Sequence, residues 1–419
     1  MKIIYLHQYF NTPEMSGSTR SYEFAKHLTK IGHDVSVITT YRKPKNINNW
    51  FKTNYDGIKI YWLPLKYSNK MSYLNRLKSF AIFAWKSYFK AKKFEADIVY
   101  ASSTPLSIVL PGVFVSRNKN IPLILEVRDL WPDIPIAMKI IKNPFLIFFF
   151  KLLESWAYKN SNSIITLSPE MRMGIILKKV DSRKIATIPN SSNLELFECD
   201  KKLALSFRNE RAWLRNKPLL LYAGAFGKVN DLTYSVKLAK QLIDQKSNIR
   251  ILLIGDGLEK EMLINEAKKL DVYERNLFIE SPLPKKYMPI CYSAADIIAN
   301  FVIDIEENWA NSANKFFDGL AAGKPIFLNH GGWMSNLVKK YHCGLCMHGK
   351  KIEIVAKELD LAISNEHWLS SSGIASKNLA KKLFDRDIHL KQLEKILILT
   401  KNNKNYMLEG VTHELYKNI

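Results

Sequence analysis

Short hydrophobic runs alternate with longer amphipathic segments along most of the chain. In the first half, strand-like runs lie at 2–6, 33–39, 97–101, 122–127 and 163–168. The segments between most of them are long enough for crossover helices. Alternation of this kind predicts a parallel, doubly wound sheet.

The pattern stops at 188–218, where the chain turns polar and irregular, and then begins again. The later strand-like runs lie at 218–227, 249–257, 277–281, 297–303 and 325–329. The sequence therefore predicts an α/β protein of two Rossmann-like domains, 1–200 and 215–398, which face each other across a cleft. A length of 419 residues agrees with two hydrophobic cores rather than one.

One segment, from about Tyr73 to Phe94, predicts an amphipathic helix. On a helical wheel one face would be core, with the residues Leu74, Leu77, Phe80, Ala81, Ala84, Trp85 and Tyr88. The opposite face carries Arg76, Lys78, Lys86, Lys90 and Lys93, with Ile82, Phe83 and Phe89 among them. Basic side chains interleaved with aromatic ones indicate contact with an anionic membrane surface.

A second candidate for membrane contact is the run "NPFLIFFFKLLESW" at 143–156. Its apolar part is too short to span a bilayer but long enough to enter the headgroup region. A buried core helix is the alternative interpretation. The chain has no apolar run of 18 residues, and its first ten residues predict a strand rather than a signal peptide, so we expect a cytoplasmic protein.

The formal net charge of +23 is unevenly distributed. Nine Lys or Arg and no acidic residue lie between Asp56 and Glu95. Such a patch favours a polyanion, which could be nucleic acid, acidic lipid or a phosphorylated substrate. We expect no specific nucleic-acid partner, because no RRM, zinc-finger or helix-turn-helix signature is found. The four cysteines, including one CxxC, lack the partners of a zinc site and are expected to be packing residues.

Ligands of open parallel sheets bind beyond the carboxyl ends of the strands, and three stretches of the second half match that position. Gly224, Gly227 and Lys228 follow one strand, Gly255 and Gly257 follow the next, and 312–314 opens a helix with free amides. A tight turn is the alternative for each glycine. The GxGxxG and P-loop spacings are both missing, which disfavours a hydride-transfer enzyme or an NTPase.

Asp318 shares one face of that helix with Asn314 and Lys315. A carboxylate at this depth is well placed to accept hydrogen bonds from ribose hydroxyls. A surface pair with Lys315 is the alternative, and the spacing leaves both open.

Taken together, these segments resemble the family 4 retaining glycosyltransferases of GT-B fold. The resemblance lies in an ordered set of motifs: the Gly17 loop with "GHDVSVIT", "RDLWP" (128–132), "LSPEM" (167–171), "IPNSSNLELF" (188–197), "YAGAFG", "LLIGDG", "YMPICYSAAD" and "SANKFFDGLAAGKPI". It covers nearly the whole chain and is greatest with the branch that adds N-acetylfucosamine-type sugars in bacterial surface polysaccharide synthesis. By the same resemblance, a tail from 399 to 419 packs back on the first domain.

The resemblance also implies roles for single residues. Asp318 stands where the family's second glutamate holds the ribose, while the first glutamate is replaced by Ala310. The arginine and lysine that follow the family's "YxG" strand are replaced by Ala225 and Asn230 in this chain. Lys228 and Lys315 are then left to bind the diphosphate. The donor site would also include Gly17, the later glycines, Ser312 and Asn314.

In the first domain the family's histidine is replaced by Arg128, with Asp129 beside it. Asp129 and His7 follow predicted strands, so both would face the cleft and orient the acceptor.

The implied reaction is transfer of a sugar, with retention, from a nucleotide diphosphate donor to a lipid-linked sugar. UDP is the expected nucleotide, and the acceptor is a sugar on polyprenyl diphosphate for O-antigen or capsule. No cofactor or metal is expected, because no DxD pair occurs in a plausible metal-binding loop. The enzyme would work at the inner face of the cell membrane. A nucleotide-sugar epimerase of the same fold is the first alternative, and a basic nucleic-acid-binding protein is the second.

Overall fold

The computed structural model describes residues 1–42, 47–68, 71–408 and 410. These residues form two compact units. The first unit contains Met1–Thr12, Ser18–Pro189 and the described residues from His389 onward, and the second contains Pro13–Gly17 and Asn190–Ile388. The chain therefore passes from one unit to the other after Pro189, within the irregular stretch at 188–218.

The first unit contains an eight-stranded sheet in the order β3-β4-β2-β1-β5-β6-β7-β8. All neighbours are parallel except β3 and β4, an antiparallel pair at one edge. The strands are β1 (Lys2–Leu6), β2 (Asp34–Tyr41), β3 (Phe51–Tyr55), β4 (Ile58–Pro64), β5 (Ile98–Ser102), β6 (Leu123–Val127), β7 (Ser163–Thr166) and β8 (Ile185–Thr187).

Helices connect most of these strands. They are α1 (Arg20–Lys30), α2 (Tyr73–Ala91), α3 (Val109–Lys119), α4 (Asp133–Ala137), α5 (Pro144–Asn160) and α6 (Pro169–Ile176). Strands β5, β6, β7 and β8 are buried along their whole length. Burial on both faces is the rule for parallel sheets, because the crossover helices cover them.

The second unit contains a six-stranded parallel sheet in the order β11-β10-β9-β12-β13-β14. Its strands are β9 (Leu219–Ala223), β10 (Arg250–Ile254), β11 (Leu277–Glu280), β12 (Ile297–Asn300), β13 (Ile326–Leu328) and β14 (Gly344–Cys346). The helices from this part of the chain are α7 (Lys201–Asn209), α8 (Thr233–Asp244), α9 (Lys260–Lys269), α10 (Met288–Ala294), α11 (Glu306–Trp309), α12 (Asn314–Ala321), α13 (Trp333–Tyr341), α14 (Ile352–Ile363), α15 (Glu366–Leu383) and α16 (Arg386–Lys401). The prediction of two parallel-sheet α/β halves is confirmed.

Nearly all of α16 belongs to the first unit, so the chain returns there before residue 399. Thr400 and Ser163 of β7 share a hydrogen bond of 2.6 Å, and Lys401 forms an ion pair with Asp97 at 3.0 Å. Leu408 donates its amide hydrogen to the carbonyl of Arg183. Of the predicted tail, Glu409 and 411–419 lie outside the described residues.

Helix α2 is rotated from the orientation that the wheel predicts. Phe83, assigned to the membrane face, is buried, while Leu74 and Trp85, assigned to the core, are 77% and 68% exposed. The buried residues of α2 are Ser79, Phe83, Ala84, Ser87 and Ala91, three or four residues apart along most of the helix, and of these only Ala84 was assigned to the core. The wheel placed Leu74 and Trp85 inward, whereas the buried side chains are Phe83 and four small or hydroxyl residues.

Helix α5 is not the buried core helix of the alternative interpretation. Phe145 is 84% exposed and Phe148 is 70% exposed, while Phe150, Ala157 and Tyr158 face inward. In the described residues, no helix is both long enough and apolar enough to cross a membrane.

Candidate functional site

At the carboxyl edge of the second sheet lies a lysine that has no carboxylate partner among the described residues. The ammonium nitrogen of Lys315, in the first turn of α12, lies 4.6 Å from the centroid of the Tyr222 ring and 3.4 Å from Asn230 Oδ1. Burial lowers the pKa of Lys315 to about 8, and no acidic side chain raises it. The ring offsets part of the lost hydration, but an anion would stabilise this cation far more.

The glycines of this edge have different functions. A Cβ on Gly224 would lie 3.1 Å from Lys315 Cε and 2.9 Å from the Tyr222 hydroxyl oxygen. Gly224 therefore leaves room for Lys315 beside the end of β9. A Cβ on Gly227 would meet nothing within 4 Å, so backbone there is open to a ligand.

Gly255 and Gly257 are explained by packing. A Cβ would lie 1.9 Å from the Gly224 carbonyl oxygen at Gly255, and 2.1 Å from the Phe226 carbonyl oxygen at Gly257. The amide of Gly224 also donates to the carbonyl of Ile254, at the end of β10, and the amide of Phe226 donates to the carbonyl of Asp256, both at 3.0 Å. These two glycines let two neighbouring loops pair through their backbones, which is a requirement of the fold rather than of a phosphate.

Asp318 is buried and both of its carboxylate oxygens have partners. Ser192 donates to one oxygen, and Lys285 forms an ion pair with the other. The alternative surface pair with Lys315 therefore does not form. Sequence reasoning missed Lys285, because this residue lies 33 residues away on another loop.

The residues at the start of α12 contact the protein itself. The Ser312 hydroxyl accepts from the amide of Asn190, and its carbonyl accepts from the Asn190 side chain at 2.5 Å. Ser312 thus fixes the start of the second unit, and its hydroxyl hydrogen is not used in these two contacts. Asn314, the first residue of α12, is partly buried beside Lys315. Lys228 is exposed at the end of the glycine loop.

Sequence reasoning missed two buried residues after β13. The Asn329 side chain accepts from the amide of Val302 and donates to its carbonyl, both at 3.0 Å, so it fixes the loop after β12. Burial lowers the pKa of His330 to about 4, which keeps this ring neutral. The signal was the polar pair Asn-His directly after the strand "IFL".

At the carboxyl edge of the first sheet, His7 and Arg128 are in contact. Arg128 donates to His7 Nε2 at 3.2 Å and to the Ser18 hydroxyl at 3.3 Å. A guanidinium can only donate, so Nε2 is the acceptor and the ring hydrogen is on Nδ1. Burial lowers the pKa of His7 well below its ordinary value, and the charges of Arg128 and Arg42 lower it further. His7 is therefore neutral.

Asp129 lies beside this pair on the same edge. Burial raises its pKa to about 6, against the opposing charge of Arg128 and a hydrogen bond from Thr104 at 3.4 Å. A carboxylate with a pKa close to neutrality is ionised at pH 7 and basic enough to accept a proton. The structure brings His7, Arg128 and Asp129 to one edge, as the sequence predicted.

Beneath them lies a buried ion pair that the sequence did not reveal. Arg20 donates from Nε to Glu126 at 2.8 Å, and Tyr100 and Ser102 also donate to this carboxylate. The two other Arg20 nitrogens donate to the carbonyls of Ile188 and Pro189. Burial alone would raise the pKa of Glu126, but the Arg20 and Arg128 charges and these hydrogen bonds hold it below its ordinary value.

The remaining predicted residues lie on α2 or in the first loop. Lys78, Lys86 and Lys93 are exposed, and Phe89 is 46% exposed. Lys90 instead lies over the rings of Tyr61, Trp50 and Phe94, and Arg76 donates to the carbonyl of Met71. Gly17 has a φ of +116°, which favours glycine, and its segment is grouped with the second unit. Among the described residues, no cluster of His, Cys, Asp or Glu could hold a metal ion.

Both halves of the chain match known domain families. Residues 17–191 match the glycosyl transferase 4-like domain, and residues 206–382 match the glycosyl transferases group 1. The chain is 22% identical over 284 residues to a putative colanic acid biosynthesis glycosyl transferase, WcaI, of Escherichia coli strain K12. That alignment covers 64% of this chain and 69% of the relative.

Solved structures share the fold over almost the full length. Sucrose-phosphate synthase from Thermosynechococcus elongatus superposes with a TM-score of 0.75 at 14% identity, covering 95% of this chain and 98% of that protein. The Anabaena protein HepE in complex with UDP-glucose gives 0.71 at 14% identity, covering 95% and 99%. At such identities the likeness concerns the fold.

Proposed function

From its membership of the glycosyltransferases of GT-B fold, with a 4-like domain followed by a group 1 domain, we propose that this chain transfers a sugar from a nucleotide diphosphate donor to a lipid-linked sugar. The donor is a UDP-sugar, with an N-acetylated amino-deoxyhexose, and the anomeric configuration is retained. The product belongs to bacterial surface polysaccharide synthesis, O-antigen or capsule. The likeness to a colanic acid glycosyl transferase supports this setting, and the HepE complex with UDP-glucose supports the nucleotide.

The observation that carries the proposal is the desolvated ammonium of Lys315 at the carboxyl edge of the second sheet, which has no carboxylate partner among the described residues. When a glycosyl bond to a nucleoside diphosphate breaks, negative charge develops on the leaving phosphate. A fixed cation in a partly dehydrated site stabilises that charge strongly. Lys315, the first amides of α12 and the open backbone at Gly227 supply this stabilisation without a metal ion.

The first unit binds and orients the acceptor. Asp129, ionised at neutral pH, orients the attacking hydroxyl and helps to take its proton, while Arg128 and neutral His7 hold neighbouring acceptor groups. Retention follows if the hydroxyl attacks from the face that the phosphate leaves, with a phosphate oxygen sharing the proton.

Nucleotide binding tests the proposal. We expect UDP to bind more tightly than GDP or ADP in calorimetry, with equal affinity with and without magnesium. Lys315→Met should weaken UDP binding about 10- to 100-fold, the effect of losing a hydrogen bond to a charged group. Lys237→Met is the matched control, because Lys237 is exposed on α8 of the same unit and its loss removes the same charge. If Lys315→Met binds UDP as tightly as the control, the diphosphate site is wrongly placed.

The transferase also binds an anionic membrane surface through an exposed band of the first unit. The band comprises Trp85 and Phe89 of α2, Phe114 of α3, and Phe145, Phe148, Phe149 and Leu152 of α5. Ring contacts connect the three helices of the band. The ring centroid of Tyr88 of α2 lies 5.1 Å from that of Phe89 and 6.1 Å from that of Phe114 of α3, and Phe114 lies 6.0 Å from Trp156 of α5. Exposed lysines occur on α2 and α5 and just beyond their ends: Lys78, Lys86, Lys92, Lys93, Lys142, Lys151 and Lys159. Aromatic rings bordered by cations suit an interfacial position.

Vesicle sedimentation tests this surface. The wild type should pellet with phosphatidylglycerol vesicles at low salt, and the double variant Phe145→Ser, Phe148→Ser should partition about tenfold less, since two exposed rings no longer enter the interface. The control is Leu361→Ser, which removes a side chain 63% exposed on α14 of the other unit. The membrane role is excluded if the wild type stays in the supernatant or the double variant pellets equally.

A further inference from the structure

A second set of cationic and unpaired polar groups lies at the carboxyl ends of β1 and β2. These neighbouring parallel strands end at Leu6 and Tyr41, so the residues that follow them share one edge of the first sheet. We call the set formed by His7, Gln8, Asn11 and Arg42 the Arg42 pocket. The reaction scheme above uses only His7 from this set.

Arg42 is a partly buried guanidinium whose charge is not balanced. It donates to the side-chain oxygen of Asn11, a neutral acceptor. Burial lowers the pKa of Arg42, and only the neighbouring Tyr9 and Tyr67 oppose that effect. Arg128, the other cation that acts on His7, also acts on the nearby carboxylate of Glu126. Arg42 has no such acid among the described residues.

Buried hydrogen-bonding groups next to Arg42 are also unsatisfied. Gln8 is completely buried, yet neither atom of its side-chain amide has a partner among the described residues. Its backbone carbonyl is well satisfied, by Thr40 at 2.7 Å and Thr39 at 3.1 Å, so the loop itself is firmly held. The Nδ1–H group of His7 likewise lacks a partner there. Unpaired buried groups are costly, and a ligand can remove that cost.

Two aromatic contacts connect this pocket with helix α2. The Tyr9 and Tyr67 ring centroids are 4.7 Å apart, and those of Tyr67 and Phe80 of α2 are 6.1 Å apart. The amide of Tyr67 also bonds to the carbonyl of Arg42. A molecule with its anionic head at Arg42 would therefore have its apolar part beside α2, whose outer face carries Trp85 and Phe89.

We propose that the Arg42 pocket binds the diphosphate of the lipid-linked acceptor. Arg42 supplies the paired N–H donors that suit phosphate oxygens, and the Gln8 amide and the His7 Nδ1–H group supply neutral donors. The pocket holds the acceptor's anion while the lipid remains at the exposed band. This inference rests on the proposed transfer to a lipid-linked acceptor, but the same diphosphate chemistry could also come from the nucleotide donor.

Calorimetry with two probes separates these sources. Farnesyl diphosphate is titrated into protein saturated with UDP, which occupies the donor site, and UDP is titrated separately. We expect Arg42→Gln to weaken farnesyl diphosphate binding at least about tenfold, as loss of a charge-assisted pair requires, and to leave UDP affinity within about twofold. Lys30→Gln, an equal charge change at an exposed position of α1 in the same unit, should leave both affinities within about twofold. Arg42→Lys should fall between the wild type and Arg42→Gln.

Three results would overturn the assignment. Unchanged farnesyl diphosphate binding by Arg42→Gln would exclude the pocket, and an equal loss caused by Lys30→Gln would mean that the effect is one of general surface charge. Loss of UDP affinity in Arg42→Gln, with an unchanged near-UV spectrum and thermal transition, would assign the pocket to the donor. If UDP binds neither to the wild type nor to any variant, the proposed donor site is wrong, but the Arg42 pocket is not affected. Arg42 is then tested by titrating inorganic pyrophosphate in place of farnesyl diphosphate.

Discussion

Replacing Glu126 with alanine is expected to lower the free energy of unfolding of the first unit by about 3–5 kcal/mol, because a buried ion pair loses one partner and leaves the other unpaired. The side chains of Arg20 and Glu126 are 4% and 0% exposed, so water cannot replace the lost carboxylate. Tyr100 and Ser102 would lose their acceptor as well.

Hydrogen exchange in urea, followed on peptides of β5 and β6, measures this effect in the first unit alone. Glu95→Ala is the control, because Glu95 pairs with Lys2 at the exposed surface of the same unit, and we expect little change. The folded-state pKa of Glu126 is lowered, so its contribution is present at neutral pH and is lost as the pH falls below the unfolded value of about 4.3 and through the folded one. A loss in Glu126→Ala no larger than in Glu95→Ala would contradict the prediction.

Asp318→Ala should destabilise the second unit by about 3 kcal/mol, because it leaves the Lys285 ammonium without its partner. The value is at the lower end of the range since the Lys285 side chain is 13% exposed and can turn toward water. The same urea experiment on peptides of β12 and β13 measures it. Asp244→Ala, which breaks an exposed pair with Lys240 on α8, is the control. An equal loss of unfolding free energy in the two variants would mean that the buried pair stabilises the unit no more than the exposed pair does.

The ribose role of Asp318 needs a separate measurement. A carboxylate has about four acceptor positions, and Ser192 and Lys285 use two of them, so a ribose hydroxyl can still be accepted. If Asp318 contacts the ribose, the wild type prefers UDP to its 2′-deoxy or 3′-deoxy form and Asp318→Asn loses that preference. An unchanged preference would leave Asp318 with a structural role only.

The sheets could be predicted from the sequence because buried parallel strands are continuous apolar runs. "LLLYA" and "RILLI" are strands with hardly a polar residue, and their neighbours in the sheet look the same. The hairpin of β3 and β4 was missed because "FKTNY" is mostly polar and exposed at a sheet edge. The passage between the units after Pro189 lies within the irregular stretch at 188–218, but the hydrogen bond from Arg20 to the Pro189 carbonyl joins residues 169 positions apart and has no local signal in the sequence.

Side-chain partners were much less predictable. Spacing along α12 placed Asp318 beside Lys315, but the ion pair formed with Lys285 depends on how another loop returns to the sheet edge. The glycines of "IGDG" looked like a phosphate loop, yet their function is close contact with the loop after β9. On α2 the wheel gave the right period and the wrong direction, because hydrophobicity alone does not tell an interior face from an exposed aromatic one.

The return of α16 to the first unit affects how the protein can be made. The first sheet is complete in sequence at Thr187, but its partners Thr400 and Lys401 are translated roughly 200 residues later. At about 5–20 residues per second, a ribosome takes about 10–40 s to reach them. During that interval the first unit leaves the ribosome with one flank uncovered, and the whole second unit is synthesised before the last helix arrives. A gene cut after Pro189 would encode a half that never receives that helix.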